Sequence, residues 1–104
     1  MKPAELQRKA GRATSLLKAM ANSSRLLILC QLAGGEKSVG ELERQVGLSQ
    51  SGMSQHLALL RRKRIVATRR EAQSIYYSLA SQEAAAVMAT LYEMFCAKAA
   101  GRRR

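Results

Sequence analysis

The sequence predicts one mainly α-helical domain with a small β-hairpin, its elements running α-α-α-α-β-β-α. Two observations carry this. Apolar residues recur at three- and four-residue spacing through most of the chain. Between Ile65 and Leu79 the pattern changes to β-branched and aromatic segments. The 104 residues allow a single domain, residues 1-104. A chain of this length buries only about two-thirds of its unfolded surface, so a second copy that completes the core is expected.

Each element has its own local signal. Leu6, Ala10, Ala13, Leu17 and Met20 form a heptad-like seam on a first helix within residues 1-21, suited to a partner helix. Asn22 or Ser23 can cap a second helix carrying Leu26, Leu27, Leu29, Cys30 and Ala33, which stops at Gly34-Gly35. Ser38-Val39-Gly40-Glu41 is a capping box opening a short third helix, with Leu42 and Val46 inward and Gly47 as its stop. Ser49 caps a fourth helix from Gln50 to about Lys63. Ile65–Arg70 and Ser74–Leu79 then flank Glu71-Ala72-Gln73 as a hairpin. Ser81 caps a last helix, within residues 81-100, with Val87, Met88, Leu91, Met94 and Phe95 on its apolar side. Residues 101-104 form a basic tail.

The charge balance narrows the function. Eighteen Lys and Arg face seven acids, all glutamate, for a formal net charge of +11. That excess, in a chain of ordinary apolar content, points to a polyanion and most simply to nucleic acid. With no aspartate and one histidine, His56, a Ser-His-Asp triad, an aspartyl pair, an EF-hand or a His-rich zinc site cannot be assembled within one chain. An enzyme is therefore not expected, nor a metal or other cofactor. No apolar run approaches the roughly 18 residues of a membrane span, and the basic N-terminus lacks a signal-peptide apolar core. A cytoplasmic protein is expected, with Cys30 and Cys96 as thiols.

The two helices joined by Gly47-Leu48-Ser49 resemble a helix-turn-helix, residues 38-63, and the hairpin at 65-79 resembles a wing. On a helical wheel with Met53 at zero, Leu57, Leu60 and Arg64 fall within about 40° and define a buried side. Ser51, Ser54, Gln55, Ala58 and Arg62 lie roughly opposite. Such a face is usually just solvated. In a +11 chain with a basic hairpin it suits the major groove, where Gln55 can pair with adenine, the serines reach base or phosphate, and Ala58 meets a thymine methyl. The candidate DNA-binding set is Ser49, Gln50, Ser51, Ser54, Gln55, His56, Arg62, Arg69 and Arg70. His56 reads as a boundary or phosphate-facing residue, and Arg102-Arg103-Arg104 as a nonspecific contributor.

LLKAMANSSRLLILCQL, SVGELERQVGLSQSGMSQHLALLRR and VATRREAQSIYYSL together resemble the ArsR family of winged-helix bacterial repressors, over about four-fifths of the chain. Cys30 in LLILC and Cys96 in LYEMFC resemble the sulfide- and persulfide-responsive branch, of the BigR, SqrR, YgaV and HlyU type. The resemblance implies a homodimer built on the first and last helices, through Leu6, Ala13, Leu17, Met20, Val87, Leu91 and Met94. It also implies an inverted-repeat operator in double-stranded DNA and release by an inducer. The metal-sensing relatives' Cys-x-Cys in the third helix is absent from GELERQVGL, and SQEAAAVMATLYEMFC lacks their Asp and His ligands. Lys63-Arg64 replaces the family's usual Asp-Gly after the fourth helix, so a bulky residue stands where glycine ordinarily supplies a left-handed cap.

Spacing alone leaves the cysteines open, because two buried thiols serving as small hydrophobes is a common outcome. The resemblance makes Cys30 and Cys96 a redox-sensing pair, switched by persulfide or polysulfide through a sulfur bridge. Both lie towards helix C-termini, where the dipole disfavours a thiolate. Two alternatives stand beside this reading: an arsenite-like thiophilic ion held by the same cysteines, or an architectural DNA-binding protein with structural cysteines.

Overall fold

The computed structural model describes residues 1–97. The predicted tail at 101-104, and residues 98–100 of the predicted last helix, lie outside the described residues. The elements are α1 (Pro3–Met20), α2 (Ser23–Ala33), β1 (Lys37–Ser38), α3 (Val39–Val46), α4 (Gln50–Arg62), β2 (Val66–Glu71), β3 (Ser74–Leu79) and α5 (Gln82–Tyr92). A single π-helical turn, Glu93–Ala97, continues α5.

The predicted caps set these boundaries. Asn22 Oδ1 accepts from the Arg25 N–H at 3.0 Å, which settles the choice between Asn22 and Ser23. Ser38 and Glu41 form the reciprocal capping box, with the Ser38 N–H donating to Glu41 Oε1 at 2.8 Å and the Glu41 N–H to Ser38 Oγ at 3.2 Å. Those bonds hold the Glu41 carboxyl below the usual carboxylate range. Ser49 and Ser81 cap α4 and α5 through the N–H groups of Gly52 and Ala84. Gly47 closes α3 in the left-handed region at φ 80°.

The first strand of the hairpin is shifted by one residue from expectation at both ends, Ile65 falling before it. Glu71 pairs with Ser74 and extends β2, so the turn is only Ala72-Gln73, with Ala72 at φ 56°. A third strand was not foreseen. Lys37 and Ser38 pair antiparallel with Tyr77 and Tyr76, giving the sheet order β1-β3-β2. Two residues show no periodicity, so their sequence carries no strand signal.

The core is built by Ile28, Leu29 and Leu32 of α2, Leu42 of α3, Met53, Leu57 and Leu60 of α4, Ile65 and Val66 at the wing base, and Ala84 and Met88 of α5. Ala19 and Met20 close it from α1. Two predicted placements need correction. Leu27 is exposed, because in the all-apolar run Leu26–Cys30 the periodicity does not define a face. Arg64 is exposed rather than on the buried side, because α4 ends at Arg62 and Arg64 turns left-handed at φ 61°.

The predicted dimer seam is partly accounted for by the single chain. Met20 belongs to the chain's own core, a correction to its place in the seam: it stands at the end of α1, where the chain turns back into α2. Val87 and Leu91 pack half-buried against that core. Leu6, Ala13, Leu17 and Met94 remain exposed, as do Leu27, Tyr92 and Phe95. The Cα radius of gyration is 15.3 Å, against about 13 Å for a compact domain of 100 residues.

Gly47 offers a clean test of the α3–α4 turn. A Cβ there meets nothing within 4 Å, so its only cost is backbone strain. Gly47→Ala is expected to destabilise the protein by about 1–2 kcal/mol in urea unfolding, the penalty of the left-handed region. An unchanged midpoint would show that the turn is not bound to this geometry.

Candidate nucleic-acid interface and thiol pair

The burial of Met53, Leu57 and Leu60 fixes which way α4 faces. The opposite side carries Ser51, Ser54, Gln55, Ala58 and Arg62, all exposed, with Ser49 and Gln50 exposed at the helix start. This slim polar face has room to enter a groove, and Ser54 and Gln55 stand midway along the helix at its two edges. Gly52 has a local reason. A Cβ there would lie 3.2 Å from Ser49 Oγ, the atom that caps the helix, so glycine keeps the cap uncrowded.

Three members of the predicted DNA-binding set are engaged within the protein: Ser49 as the cap of α4, His56 and Arg69. His56 is half-buried beside α2, with Nδ1 3.4 Å from an Arg25 guanidinium nitrogen. Arg25 also donates to the Ala19 carbonyl at 2.6 Å, clasping the end of α1. His56 thus faces the α1–α2 corner and not the open polar side of α4.

Arg69 donates to both carboxylate oxygens of Glu36, at 2.7 and 2.8 Å, and to Glu71 at 2.9 Å. Its guanidinium lies 4.7 Å from the Tyr76 ring centroid. Glu36 is held below the usual carboxylate range by the Arg69 hydrogen bonds, and Arg69 is driven up by its two acids. Arg69 therefore latches β2 to the loop after α2, so its guanidinium is already engaged within the protein. Arg70 is exposed and makes no ion pair among the described residues, so it is the wing's available cation. The sequence hides this difference, since Glu36 lies 33 residues away from Arg69.

Cys30 and Cys96 are both free and exposed, so neither is a buried hydrophobe. Cys30 sits in the last turn of α2 and Cys96 in the π turn after α5. Partial burial and then the charge of Cys96 raise the Cys30 thiol above its ordinary pKa. The π turn had no signal in the sequence, although such turns recur at functional sites.

The fold and the polar face of α4 define a winged helix-turn-helix protein of the DNA-binding type. Comparison with known proteins makes this specific. Residues 22–68 match the family model described as bacterial regulatory protein, arsR family. The chain is 50% identical over 92 residues to the transcriptional activator HlyU of Vibrio cholerae, covering 88% of this chain and 85% of that one. It is 42% identical to a biofilm growth-associated repressor of Xylella fastidiosa, covering 90% and 82% of the two chains.

Among solved structures, reduced HlyU from Vibrio cholerae superposes with a TM-score of 0.86 at 50% identity, covering 88% of this chain and 97% of that one. A homodimeric winged helix-turn-helix DNA-binding domain from Mycobacterium bovis matches with a TM-score of 0.80 at 25% identity, over 99% and 95% of the chains. The protein belongs to the ArsR family and is a DNA-binding transcriptional regulator, in a family of regulators and not of enzymes.

The face predicts two separable effects on binding to the DNA upstream of its own gene. Gln55→Ala is expected to cost about 1–3 kcal/mol on that DNA and little on random duplex. Arg70→Gln is expected to weaken both alike and to reduce the slope of log K against log salt by about 0.9. Fluorescence anisotropy across a salt series separates them. Equal losses on both duplexes for Gln55→Ala would remove its base-reading role.

Proposed function

We propose that this chain acts in the cytoplasm as a homodimeric repressor on an inverted-repeat operator, and that persulfide or polysulfide releases it by bridging Cys30 to Cys96. The observation that carries the switch is the thiol pair itself. The chain's only two cysteines stand exposed on different helices, near enough that the charge of one raises the pKa of the other. A relative half identical in sequence has a structure specifically of its reduced form, which fits a redox-responsive protein.

The dimer reading rests on the uncovered apolar residues of α1 and the chain's last helical segment. Leu6, Leu17, Tyr92, Met94 and Phe95 are each more than half exposed. A twofold pair must set its two α4 helices about 34 Å apart to meet successive major grooves on one side of the duplex. Bridging α2 to the last helix ties the unit that backs α4 to the segment that carries the seam. A shift of a few ångströms then weakens both half-sites together.

The chemistry balances without a resident cofactor. One cysteine thiolate attacks the outer sulfur of a low-molecular-weight persulfide, forming a cysteine persulfide and releasing the carrier as its thiolate. The second thiolate attacks the inner sulfur of that persulfide and expels hydrosulfide. The two thiols are oxidised by two electrons, and the sulfane sulfur is reduced to hydrosulfide. A polysulfide donor leaves further sulfurs in the bridge, again with hydrosulfide as the leaving group.

The raised Cys30 pKa sets the pH dependence. Below that pKa its thiolate fraction falls tenfold per pH unit, so alkylation of Cys30 by iodoacetamide is expected to be slower at pH 7 than for an unperturbed thiol. Cys96→Ser removes the Coulombic part and is expected to shift the rate–pH curve of Cys30 to lower pH. An unmoved curve would show that the two sulfurs are not coupled.

The deciding test is a mobility shift with the upstream DNA at fixed salt, comparing reduced with persulfide-treated protein. Treatment is expected to weaken binding about a hundredfold, or roughly 2.7 kcal/mol, reversibly with dithiothreitol and not in Cys30→Ser. Intact mass should fall by two hydrogens for the direct bridge formed with persulfide, and rise by the retained sulfurs when a polysulfide is the donor. Unchanged binding after treatment sinks the switch, and an added mass that a chelator strips off assigns the cysteines to a thiophilic ion.

A further inference from the structure

A cleft of about 440 Å³ lies where α1, α2 and α4 meet, lined by Thr14, Ser15, Lys18, Arg25, Leu59 and Lys63 among others. We propose that it is a binding site for a phosphate-type oxyanion, supplied either as a free anion or by the DNA backbone. Three cations converge on it and no carboxylate is among its lining residues. Such a gathering of like charge is relieved by an anion.

The donors are held in place. The Arg25 guanidinium is fixed by the carbonyl of Ala19 at 2.6 Å, that of Lys18 at 3.4 Å and His56 Nδ1 at 3.4 Å, which leaves one N–H on each terminal nitrogen for an anion. Lys63 Nζ donates to Ser15 Oγ at 3.2 Å, joining the end of α4 to α1. Ser15 accepts that bond, which leaves its own hydroxyl hydrogen free for an anion, as is that of Thr14. A forked guanidinium, two ammonium groups and two hydroxyls are the donor types that phosphoryl oxygens take.

The cleft is separate from the other surfaces. On the wheel of α1 its lining residues centre roughly 120–140° from Leu6, Ala10, Ala13 and Leu17, so the cleft and the seam lie on different sides of the helix. On α4, Leu59 and Lys63 lie about 90° from the centre of the polar face, beside it and not within it. The site depends on neither the thiol switch nor the dimer.

The test uses the full chain, labelled with nitrogen-15 and titrated with inorganic phosphate at constant ionic strength. Saturable amide shifts are expected around Gly11–Lys18 and Leu59–Lys63. Lys18→Gln with Lys63→Gln is expected to weaken binding at least tenfold, while Lys2→Gln with Lys9→Gln, the same charge removed at the start of the chain and of α1, leaves it intact. Thr14→Glu, which sets a competing carboxylate in the cleft, is expected to give the same loss by a different route.

A salt series on DNA binding identifies the source of the anion. A slope reduced by about 0.9–1.8 in the cleft variant but not in the control assigns the site to backbone phosphate. Selective loss of phosphate binding with an unchanged slope assigns it to a free anion. The proposal is overturned if phosphate binding and slope respond equally in the cleft variants and the control, or respond in neither.

Discussion

Everything on the DNA-facing side depends on how α4 is held down. Met53, Leu57 and Leu60 are essentially inaccessible to solvent, and each contributes on the order of 1.5–3 kcal/mol of burial. Their spacing uses up one stripe of the helix and leaves the rest bare. Ile65 and Val66 enter the same core, so the wing starts from the surface that anchors the reading helix. The Ser38 cap and the β1–β3 pairing attach α3 to that wing, and the Arg69–Glu36 latch closes the arrangement from outside. The turn, the reading helix and the hairpin are therefore positioned by one another.

That arrangement also explains how a change far from DNA reaches it. α2 supplies Ile28, Leu29 and Leu32 to the core that holds α4, and Cys30 is the next residue along from Leu29 on the outer side. A covalent tie at Cys30 pulls on a helix that cannot shift without disturbing packed neighbours. Cys96 stands in the π turn, where the helical phase departs from that of α5. The thiol pair is thus placed at a junction of rigid packing with an irregular turn, which is what the proposed switch requires.

Much of this was legible in the sequence because it rests on local rules. The caps at Asn22, Ser38, Ser49 and Ser81, the glycine stop at Gly47 and the inward set of α4 all follow from short-range spacing. What was not legible is long-range or phase-dependent. Arg69 and Arg70 look alike in a row of basic residues, and only the fold brings Glu36 to one of them. Leu27 could not be placed within an unbroken apolar run, and Met20 continued a heptad that the chain's own core had already claimed. The π turn follows from neither propensity nor period. The resemblance to the family supplied the cysteine pairing, which spacing left open.

Arg64 carries a consequence for how such a protein can change. A bulky residue at φ 61° keeps part of the chain's stability in reserve, because glycine at that position relieves strain without touching the core. Proteins drift to new recognition only while they can absorb the destabilisation that new side chains bring. A position of this kind, two residues beyond the reading helix, is where a lineage can recover that loss. The helix face and its compensating site would then evolve as a pair, the first exploring sequence and the second restoring the margin.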